Sequence, residues 1–530
     1  MNDLNIILAQ LNPTVGDLSG NLKKIQNVRD SNVDADLIVY SELITCGYPA
    51  DDLILKPSFI DAIEKQIEQL VEESKKHTPY LIISTPWRNE GSLFNTILVI
   101  GNGKIQFESY KHELPNDGVF DEKRLFESGP LPKPYVYKET KIGLMTCEDM
   151  WHPHVSSHLA SMGAEIFIVP NGSPFHTEVH DLRMLHARVR NQETGLPILY
   201  VNQVGGQDEL VFDGGSFVMN AKGDVTHSLP LFEEATININ DNDTKAENLS
   251  EEEVIYKALK LGLKDYVEKN NFPGVLIGLS GGIDSALSAA IAVDALGADK
   301  VQCVMMPSPY TSQDSLDDAA KCAELLDVSL ESLSIEEAMK AFDAMIDTHI
   351  DENAAGTTFE NIQSRIRGTT LMALSNASGH MVLSTGNKSE MAVGYATLYG
   401  DMCGGFNALK DLYKGQVYAL SKWRNEKGTV IPERIITKAP SAELKPDQTD
   451  QDSLPDYSVL DEILQGLIED DLSTTEIAKN TGHDQALVQK IWRMLDIAEY
   501  KRRQAPPGVK ITPKAFGRNR RYPITNKFKG

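Results

Sequence analysis

Three segments in the first third of the chain each carry a reactive side chain to the end of an apolar or alternating run. Leu37–Ser41 leads into Glu42, Lys104–Tyr110 into Lys111, and Ile142–Thr146 into Cys147. A cysteine attacks a carbonyl as its thiolate. A nearby carboxylate can accept the thiol proton, and an ammonium can stabilise the oxyanion of the tetrahedral intermediate. Alone, each residue is unremarkable, because most lysines and glutamates are solvated and a lone cysteine is a small core side chain. Cys46, Cys303, Cys322 and Cys403 are expected to be such core residues. Base, cation and thiol together form a set able to cleave an amide.

A second set follows in the other half. The apolar run Gly274–Ile277 reads as a buried strand and Ala286–Val293 as a helix. Between them lies Gly278-Leu279-Ser280-Gly281-Gly282-Ile283-Asp284-Ser285. A strand, a small-residue turn and a helix N-terminus make an anion site, because free N–H groups and the helix dipole point at the ligand. No G-K-[ST] closes the loop, so it is not a Walker A motif, nor is it a GxGxxG loop. Downstream, Glu360–Gly368 places Arg365 and Arg367 on one helical stretch, suited to carboxylate or phosphate. Ser384–Glu390 follows a strand, where an open α/β sheet places its ligand loops. Asp284 and Glu390 offer hard oxygen ligands for Mg²⁺, and Lys414 adds a cation.

The elements that must position these groups are α/β in both halves. Strands are predicted at 5–11, 36–41, 80–84, 96–100, 142–147, 166–170 and 197–201, with helices over 59–75 and 177–194 between them. Residues 1–240 form one expected domain. Residues 241–253 are an expected acidic linker, since 240–253 hold six acids and one lysine. Residues 254–530 form the second domain, opening with a helix over 254–269. Strands are expected at 301–305 and 380–384, helices at 314–326 and 361–375, and a helical region over 457–499. The last thirty residues carry ten Lys/Arg and no acid. Part of that tail, Lys501-Arg502-Arg503, is a candidate to face a phosphorylated ligand; packing on an acidic neighbour is the alternative.

At 530 residues, 41% hydrophobic and 24% charged, the chain has the make-up of a globular protein of two to four domains. A net charge of −25 disfavours bulk nucleic-acid or anionic-membrane binding. No apolar run is long enough for a membrane helix and no signal peptide is apparent. Five widely spaced cysteines fit neither a disulfide framework nor a zinc site, so a reducing, cytoplasmic location is expected.

The wording S-G-G-x-D-S resembles the PP-loop of ATP pyrophosphatases, which bind ATP by its pyrophosphate and activate an oxygen as an adenylate. The first 4–235 residues resemble the Glu-Lys-Cys nitrilase superfamily. That likeness is carried by Ser41-Glu42-Leu43, Tyr110–Pro115, Thr146-Cys147-Glu148-Asp149, Asn171–His176, Tyr200–Gly206 and Phe212-Asp213-Gly214. It implies an α-β-β-α sandwich with Glu42 as general base, Lys111 as stabilising cation and Cys147 as nucleophile. The ordered downstream set, with Ala439–Leu444 and Gln448–Leu454, is similar to the NAD⁺ synthetases. The fused arrangement resembles their glutamine-dependent branch. The second domain is then a doubly wound parallel sheet of the adenine nucleotide alpha-hydrolase type. By the same likeness Gly278–Ser285, Thr385, Lys414 and Ser441 meet ATP. Asn361, Arg365, Glu390 and Lys501 meet deamido-NAD⁺, and Asp284 and Glu390 hold Mg²⁺. A homo-oligomer, at least a dimer, is implied.

Ser173 and the positions of Asp117 and Val179 belong to the implied glutamine pocket. Asp117 stands where the family usually has tyrosine, and Val179 where it often has lysine or arginine. Weaker glutamine binding is therefore expected. The alternatives are an ammonia-dependent synthetase with a degenerate amidase domain, a PP-loop amidotransferase acting on another carboxylate, and a nucleotide-sensing scaffold. Intact Cys147 and Asp284 argue against the scaffold.

Overall fold

The computed structural model describes residues 4–350, 356–445 and 448–528. The chain divides into two compact units, residues 1–250 and 251–530.

The first unit contains two six-stranded sheets. One has β1 (Ile6–Gln10), β2 (Leu37–Tyr40), β3 (Tyr80–Asn89), β4 (Ser92–Gly101), β5 (Lys104–Tyr110) and, at its far edge, β14 (Ala235–Asn238), in the order β14-β1-β2-β3-β4-β5. The other has β6 (Tyr135–Tyr137), β7 (Thr140–Leu144), β8 (Ile166–Asn171), β9 (Ile198–Asn202), β12 (Phe217–Met219) and β13 (Val225–Ser228), in the order β13-β12-β9-β8-β7-β6. A separate hairpin joins β10 (Val204–Gln207) to β11 (Leu210–Asp213). Alternation explains the layering. Ile6, Leu8, Leu37 and Val39 pack against Ile142, Leu144, Ile166 and Ile168 between the sheets. Their neighbours Ile7, Ala9 and Ile38 pack under α1 (Leu18–Ser31) and α2 (Pro57–Glu73). Phe167 and Val169 do the same under α3 (Pro153–Ser161) and α4 (Val179–Thr194). Both faces of these strands are buried, so their sequences are continuously apolar. The result is the expected α-β-β-α sandwich.

The second unit opens with α5 (Glu251–Lys269), three residues earlier than the periodicity predicts. Glu251, Glu252 and Glu253 make its first turn, where the helix dipole favours acids. The sheet is wholly parallel: β15 (Val275–Gly278), β16 (Val301–Met305), β17 (Ser329–Ser332), β18 (Met381–Ser384) and β19 (Phe406–Asn407) run in the order β17-β16-β15-β18-β19. The strand order reverses between β15 and β18, so the loops after these two strands flank a ligand crevice. The loop after β15 leads into α6 (Ile283–Leu296). α7 (Gln313–Leu326), α8 (Glu336–Ile346), α9 (Thr358–Ser378), α10 (Lys388–Val393) and α11 (Lys414–Glu426) follow. The helical region near the end resolves into Tyr457–Ile468, Thr474–Thr481, Gln485–Ile497 and Glu499–Arg502. Among the described residues no helix is long and apolar enough to cross a membrane, and the five cysteines are free.

Candidate active sites

In the first unit β2, β5 and β7 deliver Glu42, Lys111 and Cys147 as expected, but Cys147 lies beyond the strand. β7 ends at Leu144, and Cys147 opens a one-turn 3₁₀ helix, Cys147–Met150. Its φ of +45° is left-handed, a conformation a side-chain-bearing residue holds at a cost of ~1–3 kcal/mol. Asp149 holds the turn: its carboxylate accepts from Thr146 N at 3.0 Å, His112 N at 3.0 Å and Glu113 N at 2.8 Å. One buried side chain thus ties the cysteine turn to the segment that carries Lys111.

Glu42 and Lys111 are wholly buried and paired at 2.7 Å. Glu42 also accepts from Asn95 Nδ2 at 2.7 Å and, through Oε2, from Gly172 N at 2.8 Å. Position 172 needs glycine for that approach, since a Cβ there would lie 2.9 Å from the Tyr48 ring and 3.3 Å from Glu42 Oε2. Lys111 meets a second acid, Glu122, at 2.8 Å, and Tyr48 Oη donates to Glu122 at 2.8 Å. Burial alone would lower the Lys111 pKa; Glu122 and Glu42 outweigh it and hold the ammonium well above its ordinary range. Burial pushes Glu122 up to about 7 despite Lys111. Burial, reinforced by Glu42 and opposed by Lys111, also pushes the Cys147 thiol well up, so it rests protonated and needs a base.

Ser173 follows Gly172 and is buried. Arg183 Nε donates to its Oγ at 2.9 Å and Nη2 to its carbonyl at 2.7 Å, while Nη1 is bidentate on Asp213 at 2.8 Å. Asp117 is exposed and acts electrostatically on Glu148, the neighbour of Cys147. Val179 is buried at the start of α4.

In the second unit the loop after β15 lines a cavity of ≈330 Å³ through Ser280, Gly282, Ile283, Asp284 and Ser285. Ser285 Oγ accepts from Ser280 N at 3.2 Å and donates to Gly282 O at 2.9 Å, closing the turn. Gly281 has φ +78°, and a Cβ there would stand 2.3 Å from Ser315 O. Thr385, Glu390, Lys414 and Ser441 line the same cavity. Lys414 Nζ lies between Asp284 Oδ2 and Glu390 Oε1, the latter at 3.1 Å. Asn387 holds the other Asp284 oxygen at 2.9 Å. Burial, reinforced by Asp284 and opposed by Lys414, pushes Glu390 up to about 7. A second cavity of ≈240 Å³ shares Ser280, Ser384 and Thr385 with the first and is lined by Gly278, Leu279 and Arg367.

The carbon-nitrogen hydrolase family matches residues 6–245 and the NAD synthase family residues 255–505. The chain is 46% identical to the glutamine-dependent NAD(+) synthetase of Rhodobacter capsulatus, over 99% of this chain and 98% of that protein. It is 42% identical to the one from Acinetobacter baylyi, over 100% and 99%. This chain belongs to the glutamine-dependent NAD(+) synthetases. A solved member from Acinetobacter baumannii, in complex with ADP, is 41% identical with a TM-score of 0.79, over 99% of this chain and 98% of that one. A second, from Cytophaga hutchinsonii, shares the fold with a TM-score of 0.84 at 22% identity, over 99% and 98%.

Three of the deamido-NAD⁺ candidates suggested by likeness to the NAD⁺ synthetases contact one short segment. Asn361 Oδ1 accepts from Thr397 Oγ1 at 2.9 Å, Arg365 Nε donates to Leu398 O at 3.2 Å, and Lys501 Nζ donates to Gly394 O at 2.8 Å and Ala396 O at 2.7 Å. These three meet on the segment 394–398. Glu390, on α10 just before that segment, lines a cavity with Ala396 and pairs with Lys414 beside Asp284.

The expectation that Lys501-Arg502-Arg503 as a run faces a phosphorylated ligand is corrected for Arg502. Arg502 is buried, pairs with Glu499 at 2.8 Å and donates to Ala392 O at 2.6 Å. Arg503 and Arg520 converge on the same acid at 3.0 and 3.1 Å. Three of the ten basic residues of the tail thus neutralise one carboxylate, since a buried acid is stable only when paired.

No role was assigned from the sequence to Asn95, Glu122, Asp149, Arg183 or, in the second unit, Asn387. Glu122 ends the same Pro-containing segment that begins at Lys111, which was a usable signal. The others depend on contacts distant in sequence.

Proposed function

We propose that this chain makes NAD⁺ by ATP-dependent amidation of deamido-NAD⁺, with ammonia released from L-glutamine in its first unit. The observation that carries the reading is a buried Glu42–Lys111–Cys147 site and a PP-loop cavity in one chain that matches glutamine-dependent NAD(+) synthetases end to end.

Glu42, oriented by Asn95 and Gly172 N–H, takes the Cys147 proton as sulfur attacks the glutamine amide carbon. Lys111, kept charged by Glu42 and Glu122, stabilises the oxyanion. The proton returns to the leaving nitrogen, ammonia departs, and water hydrolyses the glutamyl thioester. Ser173, Asp117 and Val179 border the substrate.

In the second unit the N–H groups of the 278–285 loop cradle the ATP phosphates, with Thr385, Lys414 and Ser441 beside them. The carboxylate of deamido-NAD⁺ attacks the α-phosphorus and pyrophosphate leaves. Ammonia then displaces AMP. Asn361, Arg365, Glu390 and Lys501 position the dinucleotide. Asp284 and Glu390 fit Mg²⁺: both are hard oxygen donors and already converge on one cation, the Lys414 ammonium. When bound, Mg²⁺ neutralises phosphate charge. Five unpaired cysteines support a reducing, cytoplasmic setting, and a homo-oligomer is the proposed state.

NAD⁺ formation from deamido-NAD⁺ and Mg-ATP tests this, with glutamine or ammonium as donor, in wild type and Cys147→Ala. Loss of the glutamine-dependent rate alone supports the two-site reading. Use of ammonium alone by wild type would favour the degenerate amidase.

A further inference from the structure

Beside the Glu42–Lys111–Cys147 set, and separate from it, imidazoles and carboxylates converge from two segments. His112 and Glu113 follow Lys111 on the loop after β5, and His154 lies in the first turn of α3. Glu113 Oε1 is 3.0 Å from His154 Nε2 and 3.8 Å from His112 Nε2. One ligand atom from each of the three lies within 4.8 Å of the others. His152 adds a fourth nitrogen, 4.0 Å from Glu113 Oε2 and 3.3 Å from Glu148 Oε1.

Metal–ligand bonds of about 2.0–2.2 Å in a tetrahedral site put ligand atoms roughly 3.3–3.5 Å apart. The observed separations bracket that spacing, so only small side-chain rotations are needed. Two further features suit a metal. His112 Nδ1 lies 2.7 Å from Gly129 O, which fixes the proton on Nδ1 and leaves the Nε2 lone pair facing the cluster. A backbone carbonyl behind a ligating histidine is the usual orienting contact. Asp149 accepts from both His112 N and Glu113 N, so the backbone of two donors is anchored. All three donors are partly exposed, with side-chain accessibilities of 26, 28 and 48%, which leaves entry and an open coordination position.

We infer that His112, Glu113 and His154 bind one divalent transition-metal ion of the Zn²⁺ class. Two imidazoles and one carboxylate are borderline-soft donors that suit Zn²⁺ or Co²⁺ far better than Mg²⁺. The ion links the loop that carries Lys111 to the helix that follows Cys147. This site is distinct from the Asp284–Glu390 pair, whose donors are oxygen alone.

The test uses the full chain, stripped with chelator and without nucleotide. Zn²⁺ is titrated in competition with a chromophoric chelator, and Co²⁺ is followed by its visible absorption. The expected result is one tight equivalent per chain, with a Co²⁺ spectrum of nitrogen and oxygen ligation and no thiolate charge-transfer band. His154→Ala and Glu113→Gln should each weaken binding at least about tenfold, with an unchanged circular-dichroism melt before metal is added. Cys147→Ala should bind as wild type does. The inference is overturned if wild type binds no tight equivalent, if His154→Ala binds like wild type, or if Cys147→Ala loses the ion.

Discussion

Asp149→Asn separates the positioning of Cys147 from the chemistry it performs. In the native site one carboxylate oxygen takes His112 N and Glu113 N, and the other takes Thr146 N. Asparagine can keep the first pair but turns an amide NH₂ toward Thr146 N–H, two donors about 3.0 Å apart. Losing one hydrogen bond to a charged group and stranding a buried N–H costs ~1.5–3 kcal/mol. A refund opposes it: burial raises the Asp149 carboxyl from 3.8 to about 6, so at neutral pH its charge is a standing cost of roughly 3 kcal/mol. Global stability should therefore change by no more than about 2 kcal/mol. The turn, however, loses its clamp while Cys147 still needs a strained left-handed φ. A nucleophile displaced by about 1 Å loses on the order of 10²-fold in rate. The assay is NAD⁺ formation with each nitrogen donor. Glutamine-dependent kcat/KM should fall about a hundredfold, with ammonium-dependent kcat/KM within twofold of wild type. A glutamine-dependent rate within threefold of wild type would refute the reasoning. Equal loss with both donors would also refute it, because the damage would then be global.

Gly281→Ala adds a Cβ that meets Ser315 O at 2.3 Å in a left-handed position; NAD⁺ formation should fall more than about a hundredfold with either donor, while thiol labelling of Cys147 stays at the wild-type rate. Asp117→Tyr replaces an exposed acid near Glu148 with the aromatic residue its relatives are expected to carry; the glutamine KM should drop severalfold, and an unchanged or higher value counts against a substrate-lining role. Burial pushes the Lys510 ammonium from 10.5 down to about 8, against the pull of Asp411. The native state thus holds this proton less tightly than the unfolded chain, so the penalty is full below pH 8 and fades as pH rises toward 10.5. Lys510→Met should raise stability at neutral pH by up to about 3 kcal/mol and flatten that rise, read from urea unfolding of the second unit at pH 7 and 9.5; equal or lower stability of the variant at pH 7 would contradict it.

Residue order alone determined much of this protein. Apolar runs located the principal strands, because a strand buried on both faces cannot hide its hydrophobicity. The 278–285 loop was legible because a strand, small residues and a helix in succession are a local arrangement. Glu42, Lys111 and Cys147 were legible for the same reason: each ends a recognisable run. Tertiary structure decided what those residues touch. Only the fold puts Asn95 on Glu42, Asp149 across two segments, and Arg183 behind Ser173, since each contact joins parts of the chain that carry no mutual signal. The short edge strands and α1 escaped the pattern because few of their residues are apolar or buried on a full face. The basic tail shows the limit most clearly. Its charge suggested a phosphorylated ligand for Lys501-Arg502-Arg503, yet Arg502, Arg503 and Arg520 converge on Glu499. Composition records how many charges a segment holds, and only the folded chain sets which of them face solvent and which must neutralise one another inside.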